Sequence, residues 1–226
     1  MPIDKEEHQL GDFIKGRFLF IEDYCKKKGM DPAKALEDVK REALRLAGTA
    51  ERREFLSTRL FHGMILSTSF LPDWVDQVFL EATTHALRGP GAPLFTTSSK
   101  QPCVAFEAGR FNAHRQSETI FRILYEHKKP EDWIKSTFTT IHRKCYGDQV
   151  ADKLKVEELG PAHFRLTMDN QGLAKAGRMD CSTVIGYIYG SLEKLGARDP
   201  VVTHDECGAD RAAKSKLCVF DVSWKG

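Results

Sequence analysis

Four side chains near the C-terminal end constrain this chain most: Cys181, His204, Cys207 and Cys218. Cys181 opens a predicted helix, His204 and Cys207 stand in an HDEC tetrad that ends a predicted strand, and Cys218 lies in a last apolar strand. Three thiolates and one imidazole are a zinc ligand set. A full set of four leaves no open coordination position, which is the mark of a structural site rather than a catalytic one. A metal held there would close a helix start, a hairpin arm and a returning strand around one point.

Each position favours that chemistry for a local reason. Unpaired N–H groups and the positive dipole end at a helix start stabilise the thiolate form of Cys181. Cys181 shares a face with Val184 and Ile185, so it is expected to point at a sheet. His204 and Cys207 are three residues apart and would face opposite ways in a regular strand. Both reach one metal only if the strand bends or ends near Asp205, and Gly208 makes a turn easy. Cys218 lies on the same side as Phe220, Val222 and Trp224. The alternative on spacing alone is a set of unrelated buried cysteines and a surface histidine, because only the H-x-x-C pair is local.

The rest of the chain reads as helices followed by strands. Leu10, Phe13, Ile14, Arg17, Ile21 and Tyr24 follow helical spacing, and Gly29 ends that helix. Asp31-Pro32 supplies an N-cap and a proline at the first helical position of a second helix, which ends near Gly48. A third helix is expected from about Glu51 to Leu66, and a fourth starts at Pro72. The run Arg88–Pro93, RGPGAP, is the strongest breaker. It separates a helical N-terminal segment, residues 1–90, from residues 91–226. After a polar TTSSK stretch, residues 102–127 read as helical, and Pro130 starts another helix that ends before Gly147. The period then changes to two. Leu154 and Val156, then Phe164, Leu166 and Met168 alternate with polar residues across Gly160-Pro161, the pattern of a hairpin with one dry face. Asp180 is the expected cap of the Cys181 helix, and Gly196 ends it. The fold class is α+β: a helical N-terminal half, then a small antiparallel sheet with a packed helix, zinc-clamped.

Composition removes several function classes. Net charge is +2, from 34 basic and 32 acidic residues, too balanced for a nucleic-acid footprint. Arg41, Arg45, Arg52 and Arg53 alternate with Glu42, Glu51 and Glu54, which reads as a solvated helix face. No run is long and apolar enough for a membrane span. The acidic start MPIDKEEHQL does not read as a signal peptide, so the expected location is the cytoplasm. Six cysteines there argue against a disulfide framework. Cys25, Cys103 and Cys145 are expected to be packing residues, with Cys103 the candidate reactive thiol. His62 and His85 read as sitting within helices, and His114 and His142 have no partner at ligand spacing. There is no P-loop and no GxGxxG motif.

The segments CSTVIGYIYGSLEKLGA, VVTHDEC and KLCVFDVSW resemble the vinyl-4-reductase domain, in which a Cys-initiated helix precedes an E-x-x-C strand and a C-x-F-x-V strand. That domain belongs to the nitric-oxide-signalling and Golgi-transport ligand-binding superfamily, with haem–nitric-oxide-binding-like and Bet-three-like members. YGDQVADKLKVEELGPAHFRLTMD, FEAGR, IKGRFLFIEDY and LPDW are similar to upstream segments of the family or superfamily. The resemblance implies that residues 91–226 form a ligand-binding domain. Zinc would sit on Cys181, Cys207 and Cys218, with His204 at the position of the family's glutamate, as in sensor domains of aromatic-responsive activators. The loop from Gly208 to Lys216 is longer than in those sensors.

The resemblance further implies a pocket between the sheet and the preceding helices, holding a small hydrophobic or aromatic ligand. Phe106, Phe111, Trp133, Phe164 and Tyr187 are the candidate ligand-binding residues, with Phe138 nearby in the sequence pattern. Core packing is the plainer role for each of these rings. The implied function is a sensor or regulatory protein, without a catalytic residue, acting as a homodimer through residues 1–90 or through a protein signalling partner. The alternatives are a zinc-dependent or tetrapyrrole-pathway enzyme and a structural assembly subunit. A zinc hydrolase would need three ligands, a water and a base such as Asp205 or Glu206.

Overall fold

The computed structural model describes residues 8–63, 65–66, 70–146, 154–169, 178–208 and 217–225. The chain divides into two compact units, Met1–Leu94 and Phe95–Gly226. No described helix is long and apolar enough to cross a membrane.

In the first unit, β1 (His8–Leu10) leads into α1 (Gly11–Lys28) and α2 (Pro32–Leu46). Then come α3 (Ala50–Phe55), a π-helical turn Leu56–Phe61, β2 (Phe70–Pro72) and α4 (Asp73–Arg88). Asp31 caps α2 as expected, its carboxylate accepting from the Ala33 N–H at 2.9 Å. Ile14, Ile21 and Cys25 of α1 are buried with Val39 and Ala43 of α2 and Val75, Phe79 and Leu80 of α4. Phe18, Phe61 and Phe79 form an aromatic cluster, with Phe18 and Phe79 centroids 4.8 Å apart. Arg41 and Arg45 pair with Asp38 and Glu42 on their own helix, as a solvated face does.

Two expectations for this unit are corrected. The third helix does not run to Leu66; it loosens into the π turn and stops at Phe61. The unit also holds a two-stranded antiparallel ribbon, β1 with β2, pairing His8 with Pro72 and Leu10 with Phe70. Strands of three residues are too short to print a period of two.

The second unit starts with α5 (Val104–Glu118), α6 (Arg122–Tyr125) and α7 (Pro130–Asp132). A π-helical turn, Trp133–Thr137, passes into α8 (Phe138–Tyr146). The hairpin β3 (Leu154–Gly160) and β4 (His163–Asp169) precedes α9 (Arg178–Lys194), β5 (Arg198–Cys207) and β6 (Leu217–Lys225). The expected helix over 102–127 is therefore two helices, broken after Glu118. The Cys181 helix starts at Arg178, so Asp180 sits in its first turn rather than at its cap. The loop after Gly208 lies outside the described residues from 209 to 216, as does the side chain of Cys145.

The sheet order is β3-β4-β6-β5, every neighbouring pair antiparallel. β4 and β5 are thus parallel, with β6 inserted between them and α9 as the crossover, a split βαβ arrangement. Along the buried face, Phe164 pairs with Val222 and Leu166 with Phe220. All four are fully buried, as the alternation in the sequence requires.

Helix α9 is buried nearly all round. One side meets the sheet at β5 and the other meets α5. The approach to α5 is close enough to need glycine. A methyl group added at Gly186 would land on the Phe106 carbonyl oxygen, and one at Gly109 on the Thr183 carbonyl. Both obstacles are backbone, which yields only if the helices part. Gly186→Ala is therefore expected to cost about 1–3 kcal/mol by overpacking, read as a lower urea midpoint. Gly91→Ala, which meets open space, is the neutral control.

Candidate metal centre

The third row of the sheet face carries the cysteines. Cys218 is directly opposite Cys207 on one side and Met168 on the other. Cys181, on the first turns of α9, lies over this row, its sulfur 3.6 Å from that of Cys218 and 3.9 Å from that of Cys207. His204 joins them because β5 bends where the sequence asked for a bend. His204 pairs with Phe220 and Glu206 with Val219, so Asp205 is an extra residue in a β-bulge. The bulge shifts the alternation by one and turns His204 and Cys207 to the same side. The ligand atoms of all four side chains lie within 4.8 Å of one another.

The donor set fits a tetrahedral metal ion. With Zn–S bonds of about 2.3 Å, the edge of a ZnS tetrahedron is about 3.8 Å, close to both measured sulfur separations. The His204 ring stacks on Phe220 at 4.3 Å and 8°, and its Nδ1–H donates to the Val219 carbonyl at 2.9 Å. That bond commits Nδ1 and leaves Nε2 as the nitrogen that can give a lone pair to a metal once its own proton is displaced. Nε2 is buried and makes no hydrogen bond, so a cation among the sulfurs is what it is built to meet.

Electrostatics agree with this geometry. Hydrogen bonds from Cys181 and Cys218, with help from His204, pull the Cys207 thiol far below its ordinary range. The same contacts with Cys207 and Cys218, together with burial, push Cys181 up. Burial pushes His204 down, yet Cys207, Cys218 and the Val219 carbonyl outweigh it and raise the imidazole to about 10. Three sulfurs in one dry place share a proton poorly, and a divalent cation satisfies all of them at once. A metal binding here would displace protons.

A segment that sequence reasoning left as polar filler borders the cluster. The Thr97 carbonyl accepts from the His204 backbone N–H at 2.8 Å, and Ser182, next to Cys181, accepts from the Thr96 N–H at 2.8 Å. The β-branched and hydroxyl residues of TTSS were the available signal. Cys103 is corrected: it is 2% exposed and burial pushes its thiol up, so it is not a reactive cysteine.

The candidate ligand-binding residues fall into separate places. Phe106 is on α5 with its ring 5.5 Å from Tyr189. Phe111 is on the same helix and half-buried. Phe164 is stacked on Trp224 at 5.5 Å and 12° on the sheet. Trp133 and Tyr187 belong to one neighbourhood. Trp133 lies 5.6 Å from Tyr125 and 5.5 Å from Phe138. Tyr125 shares a hydrogen bond with Ser191 at 2.8 Å, and the Tyr187 hydroxyl donates to Gln116 at 2.9 Å. Trp133 is fully buried, and its indole N–H has no hydrogen-bond partner.

A polar cleft of about 450 Å³ in the first unit is lined by Asp38, Arg41, Glu42, Arg45 and His85. Its charges satisfy one another: Arg45, then His85, hold the Glu42 carboxyl down at about 2.

No protein-family model and no curated protein matches the sequence. Solved structures do match. An oxygen-binding H-NOX domain related to soluble guanylate cyclases, in its oxygen complex, is 14% identical with a TM-score of 0.56 over 96% of this chain and 95% of that one. A mutant H-NOX of T. tengcongensis is 15% identical with a TM-score of 0.56 over 96% and 97%. An H-NOX protein from S. oneidensis in the Fe(II)NO state is 12% identical with a TM-score of 0.51 over 84% and 99%. The chain has an H-NOX-like fold. At these identities the likeness concerns the fold alone.

Haem distortion has been probed in the H-NOX family, and most of the described histidines of this chain are held elsewhere. Among the described residues, His85, His114 and His163 are held by Glu42, Glu193 and Asp221. His204 belongs to the cysteine cluster, and His62 and His127 are exposed. His142 is buried against the Phe138 ring. Burial holds the His142 imidazole down at about 4, in its neutral form, and it is the one described histidine here that is both buried and outside a carboxylate pair or the cysteine cluster. Cys25 and Cys103 are buried, and burial raises both thiols away from the ligating form.

Proposed function

We propose that this chain is a ligand-binding regulatory protein of the vinyl-4-reductase type, stabilised by one structural zinc ion on Cys181, His204, Cys207 and Cys218. The observation that carries the reading is the four-ligand cluster, with its orphaned imidazole nitrogen, on an H-NOX-like fold. Zinc bound by these residues would tie α9 to β5 and β6 and would supply no chemistry of its own, since no coordination position stays open. Free thiols at the described cysteines suit a reducing compartment, here the cytoplasm.

The ligand would be small and aromatic, with an acceptor oxygen for the unpartnered indole N–H of Trp133 and with Tyr187 close by. Phe106, Phe111 and Phe164 would support that space through packing. The N-terminal helices would supply a homodimer surface, and the bound state would pass to a protein partner.

Metal analysis of the purified chain is expected to find one zinc per chain, and Cys218→Ala is expected to lose it. A wild-type content well below one sinks the metal reading. Extraction of co-purified small molecules, with Trp133→Phe as the comparison, tests the ligand. An aromatic compound carried by the wild type and lost in the variant is the expected result. Equal retention by both moves the ligand away from Trp133.

A further inference from the structure

The segment Phe95–Ser99 bridges the two elements that the metal centre joins. At α9, the Ser182 hydroxyl accepts from the Thr96 N–H at 2.8 Å, and its single hydrogen is within reach of the Thr96 carbonyl at 3.1 Å and of the Arg178 carbonyl at 3.0 Å. The Arg178 guanidinium lies 4.3 Å over the Phe95 ring. At β5, the His204 N–H donates to Thr97 at 2.8 Å and the Ser99 N–H donates to the Val202 carbonyl at 2.9 Å. The Val202 N–H in turn donates to the Ser99 hydroxyl at 3.0 Å. β5 is an edge strand, so this segment covers backbone groups that would otherwise stand open.

The anchors are adjacent to the metal ligands. Ser182 follows Cys181, and His204 is itself a ligand. A strap with one foot on a helix and one on a strand keeps both sets of bonds only while helix and strand hold a fixed separation. The three sulfurs and the imidazole set that separation when a cation draws them together.

We propose that Phe95–Ser99 is a metal-dependent latch: it docks on α9 and β5 while the centre is loaded and undocks when the metal leaves. This rests on the zinc reading above. The latch follows directly on Leu94, where the first unit ends. Undocking therefore lengthens the free chain that joins the two units. Cys207 is the partly exposed ligand, the side from which a chelating or thiol-reactive agent would reach the metal. The latch gives this chain a way to report metal loss through its linker without unfolding.

The test is hydrogen exchange on the full-length zinc-loaded protein, with zinc content measured on the same samples. After chelation, well below the unfolding midpoint, the Thr96 and Ser99 amides are expected to lose nearly all protection, while α5 and β4 amides speed up by no more than the lost global stability and remain protected. Ser182→Ala, which touches no ligand, is expected to speed the same strap amides with zinc content unchanged. Trypsin cleavage after the exposed Lys100 should accelerate in parallel. Strap amides that stay protected after zinc is gone overturn the latch and leave the zinc reading intact. Strap amides that keep the same protection as α5, α9 and the sheet, all rising by one common factor, overturn it too, because the strap would then only follow unfolding. A chain that never binds zinc ends both readings.

Discussion

Removing zinc with a strong chelator is expected to lower the unfolding midpoint of this protein by about 10 °C. A metal that binds only the folded form stabilises by about 4 kcal/mol when its free concentration is a thousandfold above the dissociation constant. For a unit of this size, each kcal/mol moves the midpoint by about 3 °C. The effect falls on Phe95–Gly226, whose helix α9 and strands β5 and β6 hold the four ligands. Without the cation, the unit keeps three sulfurs crowded together, two of them buried, and a buried imidazole nitrogen that makes no hydrogen bond. Calorimetry with and without chelator, and after zinc is restored, is the measurement. A shift below about 2 °C, with zinc shown to be bound beforehand, would make the ion incidental to the fold.

Arg17→Met is expected to cost about 3–5 kcal/mol, the cost of leaving a buried carboxylate without its cation. Arg17 of α1 meets Asp76 of α4 through two parallel bonds, Nε to Oδ1 and Nη2 to Oδ2, each 3.0 Å. Both side chains are 1% exposed, so water cannot replace the lost partner. The double variant Arg17→Met with Asp76→Leu should be markedly more stable than the Arg17→Met variant, because the uncompensated charge goes with its partner. Urea midpoints of the variants and the wild type complete the cycle. A single-variant loss under about 1 kcal/mol would show that the pair is not the strut its burial implies.

Much of the second unit was legible because its periodicities are clean. Val184, Ile185, Ile188 and Leu192 share a helix face, and Phe164, Leu166 and Met168 alternate. The cluster of Cys181, His204, Cys207 and Cys218 was legible as a candidate site because few side chains bind zinc, and four of them stand where elements begin or end. The need for a bend near Asp205 followed from the pleat alone, since His204 and Cys207 are an odd number of residues apart. That the bend takes the form of a bulge within a continuous strand did not follow, because it depends on register with β6. Arg17 falls on the helical spacing of the apolar stripe of α1, but spacing alone assigns it no role of its own. Its partner lies 59 residues on, and no local pattern links the two. The TTSS segment has hydroxyls but no periodicity, and its bonds to Ser182, Val202 and His204 are all long-range.

The sequence by itself determined which residues are chemically able to form the centre, the order strand, strand, helix, strand, strand from Leu154 onward, and the α+β class. These rest on side-chain type and local spacing, which every residue carries with it. Only the tertiary structure decided that the four ligands meet within 4.8 Å, that Gly186 and Gly109 let α5 and α9 touch backbone to backbone, and that Arg17 finds Asp76. Those outcomes depend on strand register and helix separation, which are set by the whole packed unit and written in no single segment.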